Sequence, residues 1–417
     1  MNLRRGVGSL TIWSLAALVA GCVIGAVGHA TGNPAIAWLA RALEPLGELW
    51  LAALQVIVLP LVTFHVMAVI VGARDGGAMG ALGVRAVLLF AAMLVVVGLF
   101  TIAVASAIVA RLPVDAGFAT ALAAAAPGTD RAPAPGPASF FEWLSGLLPA
   151  NPFAAALAGN VLPLLLAGMI VAFVVTRLPE RRRRPLARGI RAVAAWTLSV
   201  VRWILWLLPF AVFVFVLPIV LEAGGGVTGF LAEYVVIQCA LVTAVILLLY
   251  PLTGALGRAS LKDFARAVAP AQLVAASTRS SLASLPALVQ GARDRLRLPP
   301  SATGVVLPLA VALFKLSRTV SAPLRLYVLA HVYHVPLGAT TVAVFLVTII
   351  LLSFGTVGLP SGILPIPTLP AYIAAGIPIE GVVILEAVDA IPDMFKTVLN
   401  VTGDMSAAAI LARSESA

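Results

Sequence analysis

The sequence predicts an all-α polytopic membrane protein with eight transmembrane helices and two re-entrant helical hairpins. Three observations carry this. Of 417 residues, 61% are hydrophobic and only 11% are charged, whereas a soluble chain is about a quarter charged. Six apolar runs each reach the length of about 20 residues that a hydrocarbon core demands. After residue 258 the apolar runs become short and are broken by Pro, Gly and Ser. A water-soluble multidomain enzyme and a peripheral or single-anchor protein are therefore excluded.

The six runs lie at 10–31, 47–72, 82–111, 153–176, 190–221 and 230–257. The first follows a basic start, and Val19-Ala20-Gly21-Cys22 imitates a lipoprotein cleavage site. Because the chain stays apolar to about Ala30, it is read as a membrane helix rather than a signal peptide. Residues 112–150 contain Pro127-Gly128-Thr129-Asp130 and Ala132-Pro133-Ala134-Pro135-Gly136-Pro137. Such a segment cannot continue a helix and reads as an extended loop. Two later segments, 262–296 around Ser277-Thr278-Arg279-Ser280-Ser281 and 340–377 around Gly358-Leu359-Pro360-Ser361-Gly362, are broken in mid-run. Irregular backbone is tolerated at membrane depth only where protein buries it or a polar cavity adjoins it, so both are expected to be re-entrant hairpins beside a binding site. Helices are expected between and after them, at 303–332 and 378–412.

The formal charge is +10, and its distribution decides what it means. Arg4 and Arg5, Arg74 and Arg85, Arg177 to Arg191, Arg258 to Arg266 and Arg293 to Arg297 fall in alternate gaps between apolar runs, while the gaps near 32–46, 112–150 and 222–229 carry few basic residues. This is the positive-inside pattern of a multi-pass protein of a bacterial-type inner membrane with cytoplasmic termini. The bilayer is thus the expected partner of the basic residues, and nucleic acid is not. Cys22 and Cys239 sit in apolar runs and read as core residues.

The chemistry is concentrated in the last helix. Glu386, Asp389, Asp393, Lys396, Asn400 and Asp404 are spaced by 3, 4, 3, 4 and 4 residues, which places them on one stripe of roughly 27 Å. Charges within a span are costly and normally face a bundle interior or a water-filled path. The competing reading is a salt-bridge ladder of Asp389 or Asp393 with Lys396 that only joins helices. Glu386 is the weakest member, near enough to the outer end to reach the interface. At the first hairpin Ser280, Ser281 and their neighbours offer hydroxyls, and Arg279 offers a fork suited to a carboxylate; alternatively the hydroxyls cap their own helices. Lys315, Arg318 and Arg325, spaced by 3 and 7, are expected on one face of the 303–332 helix, either pairing helices together or acting directly. The four histidines have no metal-ligand spacing, and neither a phosphate-binding loop nor a nucleophile with a matching base is present. No enzyme and no cofactor is expected.

The segment Asp389-Ala390-Ile391-Pro392-Asp393-Met394-Phe395-Lys396-Thr397-Val398-Leu399-Asn400-Val401-Thr402-Gly403-Asp404 resembles the eighth-helix signature D-x-x-x-D-M-x-R-T-x-x-N-V-T-G-D of the dicarboxylate/amino acid:cation symporter family, which includes the glutamate transporters. Ser277-Thr278-Arg279-Ser280-Ser281 with Leu285-Pro286 is similar to that family's first hairpin, and Gly358 to Gly362 to its second. Weaker similarity at Pro149-Ala150-Asn151-Pro152-Phe153 and Leu59-Pro60-Leu61-Val62 extends the resemblance over most of the chain.

The resemblance implies a glutamate-transporter-like homotrimer in which a scaffold carries a mobile transport domain. Residues 1–81 would be scaffold helices one and two, 82–111 helix three of the transport domain, and 112–150 an extracytoplasmic loop. Residues 151–229 would be scaffold helices four and five, and 230–417 the rest of the transport domain. It further implies a substrate site of Arg279, Ser280, Ser281, Gly358, Pro360, Asp393, Lys396, Thr397 and Asn400. Asp393 would take an amino group, Lys396 would stand where an arginine grips an acidic side chain, and Asn400 would orient the substrate. Asp389, Asn400 and Asp404 would belong to ion coupling.

Two departures qualify the coupling ion. Phe314-Lys315-Leu316-Ser317-Arg318 stands where the family has N-M-D-G-T, a source of sodium ligands, and Leu89-Phe90-Ala91-Ala92-Met93 lacks the hydroxyls of another sodium position. A residual sodium site at Asn400 and Asp404 is therefore doubtful. A fixed cation, Lys315 or Arg318, would replace the ion electrostatically, and proton coupling or none is favoured over sodium. Lys396 in place of arginine loses the bidentate fork but keeps the charge. The function expected is secondary active transport, as symport or exchange, of an acidic amino acid or related carboxylate. The alternative is a non-transporting membrane receptor that retains the fold.

Overall fold

The computed structural model of the chain describes residues 3–75, 81–111, 161–224, 226–257, 259–354 and 368–415. Among them every regular element is helical. The expected loop at 112–150, the start of the 153–176 run and the second hairpin's Gly358–Gly362 tip lie outside the described residues.

Helix α1 (Leu3–Thr31) turns at Gly32, whose φ of 60° suits a residue without a Cβ, into α2 (Pro34–Asp75). Pro34 opens α2, where a missing N–H costs nothing, and the Asn33 side chain accepts the Ala35 N–H at 2.9 Å. The helix therefore starts within the stretch at 32–46 that the sequence presents as a gap. Helices α3 (Ala81–Val109) and α4 (Val161–Arg177) follow the apolar runs. The next run, expected as one span at 190–221, is two helices, α5 (Glu180–Trp206) and α6 (Leu208–Ala223). Pro209 in the first turn of α6 cannot donate into a continuous helix. At the start of α5 Arg181, Arg182 and Arg184 are exposed, Arg183 is half-buried, and Arg184 pairs with Glu180 at 2.6 Å.

Helices α1 and α6 approach closely along Gly21, Gly25 and Gly28. A Cβ on Gly25 would lie 2.8 Å from Val220 Cβ, so the small-residue face lets the two backbones meet, as membrane helices require. Helices α1, α2, α4, α5 and α6 pack on one another as one group.

Helix α7 (Gly226–Gly257) leads into α8 (Leu261–Thr278) and α9 (Ser281–Asp294), which are joined by Arg279 and Ser280 alone and lie against each other. Arg279 takes a left-handed φ of 50° and ψ of 36° to close this turn. Ser260 caps α8 by accepting the Asp263 N–H, and Ser280 caps α9 by accepting that of Ala283. Gly291 makes the contact possible, because a Cβ there would sit 2.0 Å from the Ala267 carbonyl oxygen.

The helix expected at 303–332 is broken. A π-helical turn (Ala302–Val306) and α10 (Leu307–Leu313) are separated from α11 (Arg318–Val332) by extended backbone at Phe314, with φ −95° and ψ 98°. The groups freed by the break find side-chain partners: the Lys315 ammonium donates to the Val311 carbonyl at 2.7 Å, and the Ser317 N–H donates to Asn400 Oδ1 at 2.9 Å. Lys315, Arg318 and Arg325 consequently do not share one helical face.

Helix α12 (Ala339–Phe354) packs on the short α13 (Leu369–Ala374), and the final helix, expected whole at 378–412, is α14 (Ile379–Ala387) followed by α15 (Ala390–Glu415). The break at Val388 and Asp389 has a cause in Pro392, which lacks an N–H for the Val388 carbonyl and whose ring crowds it. Helices α7, α8, α9 and α10 surround α15, while α3 packs on α11. Among the described residues four stretches, Ile12–Thr31, Leu82–Val109, Val227–Gly257 and, across its break, Ala302–Val332, are long and apolar enough to cross a membrane.

Candidate substrate and ion-coupling site

Breaks in three elements converge on α15. At its N-terminal end, the Asp389 carboxylate accepts from the Lys396 ammonium through Oδ2 and from Gln238 Nε2 through Oδ1 at 3.0 Å. Glu386, one turn earlier on α14, pairs with Arg325 of α11 at 2.6 Å, and the same guanidinium nitrogen lies 3.9 Å from Asp389 Oδ1. Arg325 also donates from Nε to the Tyr234 hydroxyl at 3.3 Å. Glu386, its side chain only 13% exposed, thus does not reach an interface; it is an internal ion-pair partner. The salt-bridge ladder contemplated from the sequence exists between Asp389 and Lys396. It spans seven residues because the kink brings Asp389 over α15.

Asp393 and Thr397 lie one and two turns into α15 and are buried. Thr397 donates its hydroxyl to the Asp393 carbonyl at 2.8 Å. The Asp393 carboxylate is different, because its Oδ2 is buried without a hydrogen-bond partner. The charges of Lys396 and of Arg279, in the turn of the α8–α9 hairpin that packs on α15, both act on it. At that tip Ser277, Thr278 and Ser284 donate to carbonyls of their own helices, and Ser280 caps α9. These hydroxyls are locally satisfied. Ser281 is buried at the start of α9. Gly358 and Pro360 lie outside the described residues.

Further along α15, Asn400 and Asp404 meet the break in the 302–332 segment. Asn400 Oδ1 is occupied by the Ser317 N–H. Asp404 is fully buried, and neither carboxylate oxygen has a hydrogen-bond partner. The positive charge that acts on it is Lys315. Arg318 turns elsewhere and donates to the Leu352 carbonyl of α12 at 2.8 Å. Phe314 stacks on Phe90 of α3 with ring centroids 4.8 Å apart, both rings fully buried. Gly403 leaves room for Phe314 and Leu316 against α15. A sodium ion needs several oxygen donors around an anionic group. Here the charge acting on Asp404 is an ammonium, the Asn400 amide oxygen is already used by the Ser317 N–H, and such a set does not fit the ion. Among the described residues no group of three His, Cys, Asp or Glu could hold a metal ion.

Several participants escape a reading by stripes. Gln238 and Tyr234 hold the Asp389 and Arg325 ends of the network. Gln272 of α8 donates to the Thr402 hydroxyl at 2.8 Å, and Thr253 to that of Ser406 at 2.6 Å, tying α15 to α8 and α7. Gln238 had a signal: it is an amide inside the apolar run 230–257, and polar groups in a span need partners.

The chain matches the model of the sodium:dicarboxylate symporter family over residues 10–414, and it belongs to that family. It is similar to the proton/glutamate-aspartate symporter of Escherichia coli, 24% identical over 98% of this chain and 93% of that one. It is also similar to the C4-dicarboxylate transport protein of Deinococcus radiodurans, 24% identical over 98% and 90% of the two chains. To the neutral amino acid transporter B(0) of Bos taurus it is 26% identical over 96% and 79%. The family and these relatives are transporters, not enzymes. With the apolar spans described above, the chain is a membrane transport protein.

Proposed function

We propose that this protein is a secondary transporter of an acidic amino acid or related carboxylate, working by alternating access and without a sodium requirement. The observation that carries the substrate reading is Asp393. It is a buried carboxylate with an unpartnered oxygen, on which the charge of Arg279 from the neighbouring hairpin acts. Such a pair receives an ammonium on one side and a carboxylate on the other, and Lys396 is the cation beside them for a second carboxylate. The relatives named for glutamate, aspartate and C4-dicarboxylates favour the same class.

Lys315 supplies next to Asp404 the positive charge that a bound cation would otherwise bring. The packing of α1, α2, α4, α5 and α6 chiefly on one another, with smaller contacts to α7, α12, α13 and α14, supports a scaffold and a transport unit. Eight spans with two re-entrant hairpins and a homotrimer follow from the family's architecture. The α8–α9 turn, two residues between antiparallel helices, has the form of the first hairpin.

The test is uptake of labelled aspartate, glutamate and succinate into proteoliposomes, with sodium and proton gradients imposed separately. Accumulation driven by a proton gradient or by substrate on the far side, and unchanged when sodium is replaced, is expected. Strictly sodium-dependent uptake that persists in Lys315→Ala overturns the coupling reading. Ligand binding with no uptake under any gradient replaces transport by a receptor role.

A further inference from the structure

The Arg325–Glu386 pair lies outside the residues assigned to substrate and ion, yet it is almost dry, with side-chain exposures of 4% and 13%. Its position relative to Asp389 is informative. Arg325 Nη2 bonds Glu386 Oε2 at 2.6 Å and stands 3.9 Å from Asp389 Oδ1. Gln238 holds that same Oδ1, and Tyr234 holds the other side of the guanidinium. One guanidinium nitrogen is therefore contested by two carboxylates. Glu386 has it, and Asp389 takes its direct charge partner from Lys396 instead.

This matters because Lys396 cannot serve two carboxylates fully. A substrate side-chain carboxylate must draw the ammonium from Asp389, and a buried carboxylate left without its cation is strongly disfavoured. Arg325 is the cation within reach to cover Asp389, needing a shift of about 1 Å to close to ordinary charge-assisted hydrogen-bond length. Glu386 opposes that shift by holding the guanidinium.

We infer that Arg325 and Glu386 are specificity-determining positioning residues: the competition of Glu386 and Asp389 for Arg325 sets how firmly Lys396 is held, and so how well the site accepts a substrate with a side-chain carboxylate. The inference rests on the reading of Lys396 as the group that meets that carboxylate. It predicts opposite effects from the two halves of one ion pair. Glu386→Gln releases Arg325 to Asp389 and frees Lys396. Arg325→Gln leaves Asp389 with Lys396 as its charge partner and only the neutral Gln238 amide beside it, and tightens its hold on the ammonium. A pair that only joined α11 to α14 would move both variants in the same direction.

The experiment is titration calorimetry of the full-length protein in detergent with L-aspartate and with L-asparagine, which has the same shape without the side-chain charge. Glu386→Gln is expected to tighten aspartate binding on the order of tenfold and Arg325→Gln to weaken it on the order of tenfold, the scale of coupling within one charge network. Asparagine binding is expected to change by less than about twofold, since it makes no demand on Lys396. Should Arg325→Gln fail to fold, the near-isosteric Glu386→Gln alone decides the sign. Shifts in the same direction, equal shifts for both ligands, or silence in both variants overturn the inference. Lys396→Met separates the levels: loss of aspartate binding there with the other two silent defeats only the inference, whereas unchanged aspartate binding defeats the reading of Lys396 beneath it.

Discussion

At Asp404 a carboxylate is fully buried and neither oxygen accepts a hydrogen bond; such a group persists only if something nearby cancels its charge. Lys315, anchored by the Val311 carbonyl at the helix break, is the cation acting on it. Lys315→Met is expected to destabilise the protein by about 3–5 kcal/mol, the cost of stranding one partner of a buried pair. Adding Asp404→Asn is expected to restore most of the loss. Thermal unfolding of both variants in detergent checks this, and a Lys315→Met protein as stable as wild type sinks the pairing. Both residues stand out in the sequence as charges within apolar runs, and the expectation that Lys315 or Arg318 lies near Asp404 could be formed there. Other pairings were less legible. The stripe offers Asp389 and Asp393 alike as partners of Lys396 and cannot choose between them, nor can it show that Arg325 reaches Glu386 from another helix.

Among the elements, α8 and α9 lie against each other because Gly291 presents no Cβ to the Ala267 carbonyl, where one would approach to 2.0 Å. Gly291→Ala must push two backbones apart, since the obstructing atoms are not a flexible side chain. A fall in thermal midpoint and loss of substrate binding are expected. Gly304→Ala, with nothing within 4 Å of the added carbon, is expected to leave both unchanged, even though Gly304 also lies in a helix. Equal tolerance of the two substitutions, measured side by side, would show that hairpin closure does not depend on this contact. The α8–α9 turn was visible as a Ser/Thr cluster around Arg279, but the close approach was not, because it depends on a residue 24 positions from Ala267. The break at Phe314–Ser317 was hidden for a different reason. No Gly or Pro marks it, and the backbone groups it frees are satisfied by Asn400 and by the side chain of Lys315. The composition therefore carries no helix-breaking signal, and 303–332 reads as continuous.

For the whole molecule, the asymmetry of basic residues makes a claim about orientation that packing alone does not. The α5 start carries the exposed Arg181, Arg182 and Arg184 and the half-buried Arg183, whereas the Gly32–Asn33 turn has no basic residue. Short loops rich in arginine stay on the cytoplasmic side, because moving them across a membrane is opposed by both desolvation and the membrane potential. On that expectation the α8–α9 hairpin would enter from the cytoplasmic side, since Arg258 and the Arg293–Arg297 cluster flank it in sequence. With Cys22 and Cys239 first replaced by alanine, Arg182→Cys is expected to react with a membrane-impermeant maleimide only in inside-out vesicles, and Asn33→Cys only in intact spheroplasts. Labelling of both from one side would break the alternation on which the orientation rests. Reversal of both would keep the alternation but turn the molecule over, so that the α8–α9 hairpin would enter from the outside.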